Sequence, residues 1–130
     1  MVKRLASYVL LLDGIVIGLG ALGHGHAVKN VHAAIDSFPI DPSVATMLYV
    51  VWYFVSGCML LFGATIVWTW FRLRANRATP LLPVILIGLL YVAVGIGGMI
   101  YRHGDAFMGL FIVLGGLLLA SVSQLRSGGA

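Results

Sequence analysis

The sequence predicts an all-α integral membrane protein: a four-helix bundle with cytoplasmic N- and C-termini. Three observations carry this reading. First, of 130 residues 61% are hydrophobic and only 9% are charged, and the mean hydropathy is +1.05. Soluble domains are about 45–50% apolar and about 25% charged, and a domain of this size could not bury so much apolar surface. Second, four stretches reach the roughly 20 apolar residues that a helix needs to cross a bilayer core. Third, the cations are sorted by position. Lys3, Arg4, Arg72, Arg74, Arg77 and Arg126 fall on one side of the spans, and only Lys29 and Arg102 fall on the other. The positive-inside rule makes the richer side cytoplasmic.

The chain reads as one transmembrane domain over residues 1–130, with spans at about 5–23, 44–71, 81–101 and 106–122. The first span follows Lys3-Arg4. Its length and the acidic Asp13 within it favour a retained span over a cleaved signal peptide. In the outer loop that follows, Val28, Val31, Ile35 and Phe38 recur at helical spacing, with Lys29, Asn30, Asp36 and Ser37 on the other faces. That pattern predicts a short amphipathic helix at the interface, ended by Pro39. Asp41-Pro42 reads as an N-cap with proline at the first helical position of the second span, and Thr79-Pro80 reads the same way for the third. Asp105 can cap the fourth. Tyr49, Trp52 and Tyr101 mark the outer interface and Tyr8, Trp68 and Trp70 the inner one. Gly14 with Gly18, and Ala93 with Gly97, have the small-xxx-small spacing that lets helices approach closely in lipid. One compact bundle is the expected result.

Few residues can carry chemistry. Asp13 lies near the middle of the first span, where a carboxylate costs about 2.5–3.5 kcal/mol or more to insert. Its neighbours by depth are Thr65 and Tyr91. It serves either as a structural lock, a carboxylic acid donating one hydrogen bond, or as a proton or ligand site. All four histidines, His24, His26, His32 and His103, fall on the outer side, together with Asp36, Asp41 and Asp105. Imidazole and carboxylate are ligands for divalent metals, but no HxxxH or HxxE spacing is present. A metal site would have to be assembled from separate elements, for example His26, His32 and His103. Haem held by His24 or His26 with His103 is the related alternative. No cofactor is predicted outright. Cys58, alone and mid-span, suits packing better than nucleophilic chemistry. Met47, Met59, Met99 and Met108 suit packing gaps. No catalytic triad, phosphate loop or CxxC is visible, so an enzyme is not the first expectation. The basic excess follows from topology, and no nucleic-acid motif accompanies it.

The layout resembles small, mostly uncharacterised four-helix proteins of the bacterial inner membrane, of the DoxX-like kind. The likeness rests on Gly18-Leu19-Gly20-Ala21-Leu22-Gly23-His24 ending the first span, on the loop from His26 to Asn30, on Trp52, Ser56 and Met59, and on the glycine-rich stretch from Tyr91 to Gly98. It implies the four-span fold and a bacterial cytoplasmic membrane, and it assigns no reaction. The expected function is that of a multi-pass accessory subunit or small-ligand-binding protein. Its partners would be the bilayer and either further copies of itself or other members of a membrane complex. The alternatives are a small oligomeric proton-coupled transporter using Asp13 and a metal- or haem-binding protein using the outer histidines.

Overall fold

The structure, a computed structural model, describes residues 2–126. It is all-helical over those residues: α1 (Val2–His26), α2 (Val28–Asp36), α3 (Pro42–Arg74), α4 (Leu82–Tyr101) and α5 (Ala106–Arg126). Four of these helices are long and apolar enough to cross a membrane, and α2 is the short amphipathic helix between the first two. The first helix runs past its expected ends, so that His24 and His26 are helical.

Two antiparallel hairpins make the bundle. One pairs α1 with α3 and the other pairs α4 with α5; α1 lies against α5 and joins them. Glycine fixes both hairpins. A Cβ on Gly63 would stand 2.6 Å from the Gly18 Cα, and one on Gly14 would stand 2.9 Å from Ile66 Cγ2. In the second hairpin a Cβ on Gly115 would meet the Gly88 carbonyl oxygen at 2.5 Å, and one on Gly95 would meet Ile112 Cγ1 at 2.6 Å. No side chain fits at such distances, so these backbones are in direct contact.

The core is concentrated toward the end that carries the termini. On α1, Ala6, Leu10, Asp13, Gly14, Ile17 and Ala21 form one buried stripe at helical spacing. It packs with Ile66 and Trp70 of α3, Val84, Ile87 and Tyr91 of α4, and Leu118 and Val122 of α5. The buried residues of α3 are Gly63, Ile66, Thr69 and Trp70, all in its C-terminal half.

Several sequence expectations are corrected. The bundle is not compact all round, because α3 and α4 touch over only a short stretch and diverge toward the histidine end. Thr79 does not cap α4: its hydroxyl donates to the Arg77 carbonyl at 2.7 Å, the N-cap is Leu81, and Pro83 sits in the first turn. Ala93 and Gly97 face outward, and Gly97 has no neighbour within 4 Å. Gly88 and Gly95, a different face of the same helix, make the contact instead. Trp70 is a core residue and not an interface anchor; its ring meets Phe71 edge-on, with the Arg74 guanidinium 5.4 Å from the ring centre. The α2 helix ends with Ser37 as its C-cap, where the Ser37 N–H bonds the Ala34 carbonyl and the Phe38 N–H the Ile35 carbonyl, before Pro39 is reached.

Other expectations hold. Asp41 caps α3, accepting from the Ser43 N–H at 2.8 Å and from the Ser43 hydroxyl, with Pro42 in the first turn. These bonds hold the exposed Asp41 carboxyl below its ordinary value, because both favour the charged form. Asp105 accepts from the Phe107 N–H at 2.9 Å at the head of α5 and pairs with Arg102.

Gly63→Val should therefore cost about 1–3 kcal/mol through overpacking. Gly97→Val, on the open face of α4, should cost far less. Thermal unfolding of the detergent-purified variants, followed by far-UV circular dichroism, distinguishes the two; equal losses would contradict the packing described.

A cleft between the third and fourth helices

The divergence of α3 and α4 leaves a cavity of about 340 Å³. From α3 it is lined by Val55, Cys58, Met59 and Phe62, and from α4 by Leu90, Tyr91 and Val94; His24 of α1 and Phe111 of α5 complete it. Aliphatic, aromatic and sulfur-bearing side chains dominate this surface. The volume falls within the roughly 300–1,000 Å³ of ordinary small-molecule sites, which are likewise mostly apolar with few polar groups. Cys58 is half-buried and lies at the cavity wall. The Met59 methyl group reaches Gly20 of α1, whose added Cβ would stand 3.0 Å away.

His24 is held from three directions. Its Nδ1 is 2.9 Å from Ser56 Oγ. Its ring stacks on Trp52 at 4.1 Å with an interplanar angle of 16°. Its carbonyl accepts from Trp52 Nε1–H at 2.7 Å. Ser56 and Trp52 are four residues apart and so share a face of α3, and the Ser56 hydroxyl donates to the Trp52 carbonyl at 3.1 Å. The positions of His24, Trp52 and Ser56 can be read from the sequence. Their convergence cannot, because it depends on the α1–α3 register set by Gly18 and Gly63.

The remaining histidines do not join His24. His32 is bound to α3 through Tyr49, with Nδ1 2.7 Å from the hydroxyl and ring centres 4.5 Å apart. His26 lies 3.3 Å from the Lys29 ammonium group. His103 adopts a left-handed backbone (φ 52°) in the α4–α5 turn beside Gly104 (φ 90°). Among the described residues no three His, Cys, Asp or Glu side chains are grouped as metal ligands.

Asp13 lies in the core, 3% exposed, on the stripe it shares with Leu10 and Ile17. Its Oδ2 has no hydrogen-bond partner. Tyr91 is 4% exposed within the core that contains Leu10 and Ile17, and its hydroxyl is likewise unpartnered. Thr65 does not reach Asp13: its hydroxyl donates to the Leu61 carbonyl of its own helix at 2.8 Å. Tyr91 and Asp13 thus share a core, while Thr65 belongs to neither group.

Comparisons of the chain with protein-family models, with curated protein sequences and with solved structures give no match.

An unpartnered buried carboxyl group costs stability. Asp13→Leu, which fills the same space with apolar atoms, should raise stability by about 1–3 kcal/mol. If Asp13 is a structural lock, the same substitution lowers the unfolding temperature instead. Unfolding of the purified variant in detergent, beside wild type, decides between these outcomes.

Proposed function

We propose that the chain is a multi-pass protein of a bacterial cytoplasmic membrane, with both termini inside, that binds a small lipid-soluble molecule in the cleft between α3 and α4. The cleft carries this reading: it is apolar, large enough for a small molecule, and bordered by two helices that separate within the spanning region. A ligand dissolved in the bilayer could enter between them without crossing water. The placing beside DoxX-like proteins rests on the quoted sequence segments alone. A role as an accessory subunit, or as one copy in an oligomer, is supported by the outward face of Ala93 and Gly97, which leaves room for a partner helix.

A second reading has its own observation. Asp13 Oδ2 and the Tyr91 hydroxyl are both buried without partners, and intramembrane carboxyl groups commonly mark proton or ion paths. In that reading the chain is a small oligomeric proton-coupled carrier. Equal proton flux in proteoliposomes containing wild type or Asp13→Asn would exclude it. The outer histidines support metal or haem binding less well, because His24, His26 and His32 each already engage a neighbouring side chain.

Cys58 is the chain's only cysteine and provides a native probe of the cleft. In lipid nanodiscs, 4-octylanisole should slow N-ethylmaleimide labelling of Cys58 saturably. Val94→Trp should fill the cleft, slow labelling without any probe and abolish the response. A linear, unsaturable response, the same in both proteins, would show that only bulk lipid occupies the cleft and would overturn the proposal.

A further inference from the structure

The polar edge of the cleft specifies what kind of molecule it takes. Ser56 has one hydroxyl proton, and that proton is directed to the Trp52 carbonyl at 3.1 Å. The Ser56 oxygen is also 2.9 Å from His24 Nδ1. Both contacts are hydrogen bonds at once only in the tautomer in which the oxygen accepts and the hydrogen of this second bond belongs to Nδ1. A neutral imidazole carries a single N–H, and Nε2 is then a bare lone pair. The Trp52 stack at 4.1 Å and the Trp52 Nε1–H bond to the His24 carbonyl hold the ring in this orientation. Nε2 has no hydrogen-bond partner in the protein and keeps some exposed surface, on a residue that lines the cleft.

The rest of the lining offers little to a molecule that can only accept hydrogen bonds. Val55, Met59, Phe62, Leu90, Val94 and Phe111 have no side-chain hydrogen-bond donor. The Cys58 thiol is a weak donor, and the Tyr91 hydroxyl is sealed from the surface.

We infer that the cleft recognises an apolar molecule bearing an O–H donor, a phenol or a lipid-soluble alcohol, with His24 Nε2 accepting that proton in a hydrogen bond. This deepens the small-ligand reading and rests on it. The aromatic wall of Phe62, Tyr91 and Phe111, with the last two rings 5.6 Å apart, suits a ring-shaped body.

The test compares molecules that differ by one donor. Protection of Cys58 in nanodiscs is titrated with 4-octylphenol and with its methyl ether, 4-octylanisole, in wild type and in His24→Phe, which keeps a ring to stack on Trp52 and removes the acceptor. A second pair, dodecanol and its methyl ether, separates an aromatic body from an aliphatic one. The hydroxyl form of at least one pair should bind wild type about tenfold more tightly than its ether, and the preference should vanish in His24→Phe. Equal saturable binding of hydroxyl and ether forms by wild type overturns the inference while leaving the cleft proposal intact. A hydroxyl preference that survives in His24→Phe assigns the acceptor elsewhere and also overturns it. No saturable binding of any probe defeats the cleft reading first and this one with it. Nitrogen-15 NMR of labelled wild-type protein checks the tautomer without a variant: Nε2 should show the unprotonated, pyridine-like shift, and a protonated Nε2 beside a bare Nδ1 would refute the argument.

Discussion

Close approach of helix backbones at glycine is the constraint from which the rest of this structure follows. In lipid, apolar side chains gain little by leaving the solvent, so helices associate through packing contacts and hydrogen bonds. Gly18 and Gly63 bring α1 and α3 so near that a Cβ on Gly63 would overlap the opposite backbone. That contact sets the register of the first hairpin. One consequence is that His24, about two turns beyond Gly18, arrives opposite Ser56 and Trp52, about two and three turns before Gly63. Gly88, Gly95 and Gly115 set the second hairpin in the same way. Among the described residues no comparable pair joins α3 to α4, and there the bundle opens.

The stripe that α1 buries is apolar except at Asp13. Its burial with one oxygen unpartnered is costly in a low-dielectric interior. The cleft shows the contrasting arrangement: Ser56, Trp52 and His24 satisfy one another at a cavity wall and leave one ring nitrogen available. Asp13 and this group are thus of opposite character, one unpartnered in the closed part of the bundle and the other organised where the bundle opens.

Much of the architecture was legible in the chain because it depends on local pattern. Hydropathy marked the four long helices, the spacing of Val28, Val31 and Ile35 marked α2, and Asp41 and Asp105 marked two helix starts. Tertiary geometry was less legible. Gly14 with Gly18 and Ala93 with Gly97 have the same spacing, yet only the first pair is covered, because spacing identifies a face and not the helix that meets it. Trp70 looked like an interface anchor, but its phase on α3 turns it inward with Ile66. Thr65 lay at a plausible depth for Asp13, yet its hydroxyl is satisfied four residues back along its own helix. For the site, composition drew notice to His24 as one of four outer histidines. Its pairing with Ser56 and Trp52 lies 32 and 28 residues away in the chain and carries no local signature.

The unequal lengths of α3 and α4 have a mechanical consequence. With 33 residues, α3 is about 50 Å long, while the 20 residues of α4 span about 30 Å, close to the thickness of a hydrocarbon core. If α3 crosses such a layer, as proposed above, it relieves the mismatch by tilting or by locally thickening the bilayer. Beside an α4 that matches the layer, a tilted α3 must draw away at one end. The width of the cleft then becomes a function of membrane thickness: a thinner bilayer increases the tilt and spreads the helices, and a thicker one draws them together.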